Sequence, residues 1–412
     1  MVRHQRHQFS IGEELLLMEK SGFSPALARL VSLLERHGAG FPYLTPYPRG
    51  GSLIGAGRRE VAQAWSALAR ETLDAAGLLA GGNACFALAR YEEALGLYQQ
   101  ALAQEPQLDA AKFNLALALA RLGQRQEAVA LLTALAQQEP QRPEVYYQRG
   151  NLLDDLGQSN QALADYDRAI ALRPGYLQAR YNQGVVLAAQ GRHQEAVDAF
   201  TQVIAQRPSL SNAYLNRGAS LDELGRHGEA IADYAAALEH NPENADAFFN
   251  RARTCYYLGS LEDAVEDYSQ FLRLRPDDAE ALNNRGLAYD ALEQYELALS
   301  DYAAALALRP GFAEALNNQG AAHENLGNDA LALQAYLAAL RAAPDLADAR
   351  YNAARQYARQ GNLEHSQVHL ERALRLSPEL QADAAKDDDL GWVVKLLQIK
   401  GQAQGRQGTL PD

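Results

Sequence analysis

Sulfur and indole are scarce in this chain: 412 residues carry two cysteines, two methionines and two tryptophans. Cys85 and Cys255 stand 170 residues apart, too far for a local pairing motif and too few for a disulfide framework or a cysteine-built metal site. Both are read as buried, reduced thiols. No apolar run reaches the roughly 18 residues of a membrane helix. The start is basic, but Glu13 and Glu14 interrupt any signal-peptide core, so a soluble cytoplasmic chain without a membrane partner is expected. Positive charge is also short. Lys and Arg number 38 against 51 Asp and Glu, a net charge of −13, which repels nucleic-acid backbones and favours basic or neutral partners.

What is abundant is proline at a fixed interval. Pro106, Pro140, Pro174, Pro208, Pro242, Pro276, Pro310, Pro344 and Pro378 recur every 34 residues without a slip. A fixed period overrides the two or three domains that length alone suggests, because stacked repeats share one core. The repeats run 75–108, 109–142, 143–176, 177–210, 211–244, 245–278, 279–312, 313–346 and 347–380.

Numbered from 1 to 34, each repeat holds two helical patterns. Position 8 is Gly or Ala throughout, from Gly82 to Ala354. Mid-helix glycine costs propensity, which is expected only where another helix approaches closely. Position 15 is usually Gly, ending the first helix in the left-handed conformation; Glu293 stands there in the seventh repeat and should strain or lengthen that turn. Position 20 is Ala in eight repeats. Position 24 is usually Tyr or Phe, expected to fill the space between repeats, and the proline at position 32 ends the second helix.

These four features together resemble the tetratricopeptide repeat family, over 306 residues. The resemblance implies an all-α fold: an α-solenoid of stacked helix hairpins forming a right-handed superhelix, with nine 34-residue repeats and the first helices lining a groove. Terminal repeats then need caps. At the C-terminus, a helix within 381–400 opens at Asp387–Asp389 and presents Trp392, Val393, Leu396 and Leu397 on one face; 401–412 reads as a disordered tail.

The N-terminal region, 1–74, reads as helical. One helix is favoured over 11–20. A second starts at Ser24 and Pro25, carries Leu30, Leu33 and Leu34, and ends at Gly38. A third spans about 59–75. Between the last two lies a Pro/Gly-rich loop, 39–57, with Phe41, Tyr43 and Tyr47 among its prolines. Its glycines fail as a phosphate loop, because no Gly-Lys-Ser/Thr follows and no strand precedes. It reads as a connector, or as an extended segment in the protein's own groove or a neighbour's.

Positions 2, 5, 6, 9, 12 and 13 share a stripe opposite positions 4, 8 and 11, and are expected to face the groove. Position 6 carries Asn114, Gln148, Asn182, Asn216, Asn250, Asn284, Asn318 and Asn352. Asn is a poor helix former, so its recurrence asks for a reason. A carboxamide matches the alternating N–H and C=O of an extended peptide, or else bonds between adjacent repeats. The ladder resembles that in the superhelix of O-linked N-acetylglucosamine transferases, where the implied role is holding extended protein substrates. Asp154, Asp222, Asp290 and Glu324 share the stripe, as do the rings of Tyr147, Tyr181 and Phe249, which either stack on a partner or pack between first helices. Arg149, Arg217, Arg251 and Arg285 at position 7 are expected to pair with carboxylates between repeats. The Lys and Arg clamp by which chaperone-binding relatives hold a terminal carboxylate is missing from positions 2, 5 and 6.

Neither a nucleophile–base set, a metal cluster nor a cofactor motif is read; His365 and His369 lack a third ligand. The expectation is a non-enzymatic protein–protein interaction scaffold holding an extended basic or neutral segment. The alternatives are an adaptor recruiting substrates to a separately encoded enzyme, and self-association through the Pro-aromatic segment.

Overall fold

The turn at position 15 sets the repeating hairpin. In the third repeat Gly157 takes φ +76°, its N–H bonds Asp154 C=O at 2.9 Å, and the next N–H, of Gln158, reaches Leu153 C=O at 2.8 Å. This closes the first helix and releases the chain for the second. Gly123, Gly191, Gly225, Gly259, Gly327 and Gly361 repeat the conformation. Glu293 and Ala89 adopt it too, at φ +60° and +62°, so the seventh turn keeps its length and carries the strain of a side chain in the left-handed region.

The computed structural model describes residues 23–41, 43–44 and 55–397. The helix expected over 11–20, Tyr47, and the tail 401–412 lie outside them. Every element among the described residues is a helix. α1 (Pro25–Arg36) and α2 (Gly55–Leu68) come first. The repeats follow as hairpins: α3 (Ala75–Ala87) with α4 (Tyr91–Gln104), α5 (Asp109–Arg121) with α6 (Arg125–Gln138), and α7 (Pro143–Asp155) with α8 (Ser159–Leu172). Then come α9 (Leu177–Ala189) with α10 (His193–Gln206), α11 (Ser211–Glu223) with α12 (His227–His240), and α13 (Ala245–Tyr257) with α14 (Leu261–Leu274). The last are α15 (Ala279–Ala291) with α16 (Tyr295–Leu308), α17 (Ala313–Asn325) with α18 (Asp329–Ala342), and α19 (Ala347–Arg359) with α20 (Leu363–Leu376). Consecutive helix hairpins of this kind make an α-solenoid. The short α21 (Leu380–Lys386) follows, and the chain is helical again over 391–397.

The chain divides into two compact bodies, Met1–Asp233 and Tyr234–Asp412. In the first, Ser24 caps α1, its Oγ accepting the Leu27 N–H at 3.3 Å with Pro25 at the first turn. Leu30, Val31 and Leu34 of α1, and Val61 and Leu68 of α2, join one core with Leu79, Phe86 and Leu88 of the first repeat. In the second body, Leu390, Val393 and Val394 cover Ala354 and Leu370 of the last repeat. Trp392, expected on the covering face, is instead 41% exposed. Asp387 turns the chain there, accepting the N–H groups of Asp389 and Leu390, and this phase points Val394 inward in its place.

Within a hairpin, the position 24 ring stands on the position 8 glycine of the same repeat and also meets the next repeat, Tyr302 sharing a core with Ala322 and Tyr336 with Ala353. A Cβ on Gly150 would lie 2.8 Å from the Tyr166 ring, and one on Gly286 would lie 2.6 Å from Tyr302. The absent side chain lets the ring and the alanine backbone at position 20 close on the first helix: Ala162 O lies 3.3 Å from the place of a Gly150 Cβ.

Candidate functional site

First helices stand beside first helices: α3 by α5, α7 by α9 and α9 by α11 in the first body, and α13, α15, α17 and α19 in order in the second. This close approach decides what the position 6 carboxamides do. Asn114, Asn216 and Asn250 are fully buried, Gln148 and Asn182 nearly so, and Asn284, Asn318 and Asn352 half-buried. The expected exposed ladder is therefore corrected. Amides of this ladder reach back to the preceding repeat: Asn182 Nδ2 donates to Asn151 Oδ1 (2.8 Å), Asn216 Nδ2 to the Tyr181 hydroxyl (2.9 Å), Asn318 Nδ2 to Asn283 Oδ1 (3.0 Å) and Asn352 Nδ2 to Asn317 Oδ1 (3.1 Å). Asn250 differs, its two carboxamide atoms buried without a hydrogen-bond partner among the described residues.

The rings at position 5 are also buried, packing within their own hairpins. Tyr181 meets Phe200 edge-on at 5.6 Å, Phe249 meets Tyr268 at 5.7 Å, and Tyr147 lies between Tyr166 and Tyr176. The position 12 carboxylates turn toward neighbouring side chains. Ser159 Oγ donates to Asp154 at 3.5 Å, and Asp222 sits 3.1 Å from His227 Nδ1. Burial pushes the Asp290 carboxyl above its ordinary value. Glu324 is a hub: burial opposes its charge, but the Tyr336 hydroxyl at 2.7 Å and Arg355 at 3.0 Å hold its carboxyl below the usual range.

The position 7 arginines pair inside their own repeats rather than between them. Each forks onto the aspartate sixteen residues on: Arg149 to Asp165, Arg217 to Asp233, Arg251 to Asp267 and Arg285 to Asp301, all at 2.6–2.7 Å. In three of these forks the third guanidinium nitrogen, Nη1, donates to a hydroxyl of the preceding repeat, on Thr133, Thr201 or Ser269. The signal was in the sequence: position 23 is Asp only in the four repeats with Arg at position 7, and is Leu, Ala or His elsewhere.

One stretch of this face is covered by the chain itself. The described part of the Pro-aromatic segment, residues 39–41, 43 and 44, lies against α3 and α5 of its own protein. Asn83 Nδ2 donates to Gly40 C=O at 3.1 Å, and the Leu44 N–H donates to Asn114 Oδ1 at 2.9 Å. Phe41 and Leu44 are buried; Tyr43 meets Phe113 edge-on at 5.7 Å, with the Arg142 guanidinium 3.3 Å over its ring. Asn83 and Arg142 fell outside the position 6 pattern. What pointed to them was the apolar stripe of the first two repeats, Ala76, Leu79, Ala80, Ala110, Phe113 and Leu117, which a solvated face would not carry.

Cys85 and Cys255 are buried and form no disulfide, and burial pushes the Cys85 thiol up to about 12. Such a thiol is inert at neutral pH. Among the described residues no group of three or more His, Cys, Asp or Glu side chains could hold a metal ion, and no helix is long and apolar enough to cross a membrane. His365 and His369 both stack on Tyr357, at 5.1 and 5.5 Å.

Comparison with known proteins places residues 86–152, 147–211, 215–279, 279–312, 313–346 and 347–380 on models described as tetratricopeptide repeat. No curated protein matches the sequence. Among solved structures, YrrB, titled a TPR protein with an unusual peptide-binding site, is 27% identical, with 44% of this chain and 94% of that one covered and a TM-score of 0.38. A tetratricopeptide repeat protein from Parabacteroides merdae is 17% identical, with 62% and 98% covered and a TM-score of 0.48. The Cut9–Hcn1 assembly is 16% identical, with 82% and 83% covered and a TM-score of 0.46.

Proposed function

This chain belongs to the tetratricopeptide repeat family, and on that premise we propose that it is a non-enzymatic scaffold whose first-helix face binds an extended peptide segment of basic or neutral character. Protein interaction is the family-level role; peptide binding on this face is the specific reading. One observation carries it. Side chains of α3 and α5 hold main-chain groups of a bent loop, the Gly40 carbonyl and the Leu44 N–H. A face that bonds main-chain groups accepts many sequences. The preference for basic or neutral segments is supported by the exposed carboxylates of the same stripe, Asp155 and Glu223 in the first body and Glu314 and Asp348 in the second, and by the net charge of −13.

Panning a displayed library of random peptides against the full chain tests the reading. The expected result is enrichment of Lys- or Arg-bearing sequences, and weaker capture of them at higher salt or by a variant carrying Glu314→Lys and Asp348→Lys. A library that yields no binder would refute peptide binding. Binders indifferent to those charges would refute the basic preference.

A further inference from the structure

The contact of residues 39–44 with α3 and α5 has the parts of a ligand in a site. In the first two repeats the face offers two neutral polar side chains, Asn83 and Asn114, among apolar ones. Those two take the main-chain groups of the segment. They are oriented by the fold: Asn114 Nδ2 donates to Asn83 Oδ1 at 2.8 Å, and the Tyr98 hydroxyl donates to the same oxygen at 2.9 Å. The Asn83 amide and the Asn114 carbonyl are thereby left pointing at whatever crosses the face. Donors and acceptors fixed in advance bind backbone at low entropic cost. The neighbours of Tyr43 read a side chain: Phe113 meets its ring edge and Arg142, held by Glu139 at 2.7 Å, covers its face.

We propose that the α3–α5 face is a peptide site for a neutral, bent segment with an aromatic residue, a second aromatic two positions on, and leucine next. Gly40, Phe41, Tyr43 and Leu44 are its built-in occupant, and a partner segment with this pattern binds by displacing them. This deepens the peptide-binding reading and rests on it. It names which stretch of the face is a site, what fits there, and what holds it closed.

The probe is a fluorescein-labelled peptide of residues 39–46, Ala-Gly-Phe-Pro-Tyr-Leu-Thr-Pro, titrated by anisotropy into the full chain. Phe41→Asp with Leu44→Asp puts two charges on buried positions and expels the internal segment. The expected result is binding at least tenfold tighter to this variant than to wild type. Adding Asn114→Ala should remove that binding, while adding Asn352→Ala should leave it. A released variant with native helical content that ignores the peptide overturns the proposal, as does binding unaffected by Asn114→Ala. If the double Asp variant loses its helical signal, Tyr43→Ser, at a half-buried ring, releases the segment more gently, and the same outcomes decide. A wild-type dimer that the released variant loses would instead assign the site to a second copy and overturn displacement by a partner. Basic peptides retained from the library without binding of this probe would sink the inference and leave the broader reading standing.

Discussion

Removing Arg285 should cost the seventh repeat more than removing Arg285 and Asp301 together. The Asp301 side chain is 8% exposed and depends on the guanidinium fork at 2.7 Å, while Arg285 is 21% exposed. Arg285→Gln leaves that carboxylate buried without its cation, at a cost of about 3 kcal/mol. Ser269 loses its contact with Arg285 but keeps its own donation to Val265 C=O, so it adds little. The double variant Arg285→Gln, Asp301→Ala recreates the pairs that the fourth and eighth repeats already use, Gln183 with Ala199 and Gln319 with Ala335. Its cost should fall to about 1 kcal/mol or less, because the desolvation penalty goes with the charge. That penalty shows at the neighbouring fork, where burial pushes the Asp267 carboxyl up from its ordinary value against the pull of Arg251. Repeat arrays do not unfold in one step, so the readout is amide exchange in α15 and α16 rather than one global midpoint. The double variant should thus be about 2 kcal/mol more stable than Arg285→Gln alone. A single variant costing under about 0.5 kcal/mol, or a double variant costing as much as the single, would refute a role for the fork in holding the hairpin.

Two further outcomes follow from the same geometry. Glu293→Gly should stabilise the seventh repeat by about 1 kcal/mol by amide exchange in α15 and α16, since it removes a side chain from the left-handed region at φ +60°; a loss of stability would mean that the turn is not strained. Glu324, its carboxyl held below the ordinary range by Tyr336 and Arg355 despite burial, contributes stability that is present above the usual carboxylate pKa and is lost as pH falls through its lowered value. Glu324→Gln should therefore weaken α17–α20 at pH 7 and flatten their loss of exchange protection below about pH 4.5, and an unchanged pH slope would contradict that assignment.

The stripe expected on the first helices mixes covered and exposed positions, Asn216 being buried and Glu314 and Asp348 exposed. Periodicity puts positions 2, 5, 6, 9, 12 and 13 on one side of each first helix, but a helix in a solenoid is covered on more than one side. Asn216 lies on the expected stripe and is fully buried, because the preceding first helix brings Tyr181 within 2.9 Å of its amide. Bonding between repeats at Asn216 rests on that distance, which no spacing within one helix contains. The Arg217–Asp233 fork was different: both residues sit in one repeat, and their joint recurrence was legible without coordinates.

Sequence by itself determined the hairpin. Glycine at position 8 under a ring at position 24, a left-handed residue at position 15 and proline at position 32 all act within 34 residues, so each repeat states its own local rules. Tertiary structure alone decided what covers the first-helix face. Gly40 lies 43 residues before Asn83, and Leu44 lies 70 before Asn114. Contacts at that separation depend on how α1, α2 and the first hairpins pack, and no local pattern encodes them.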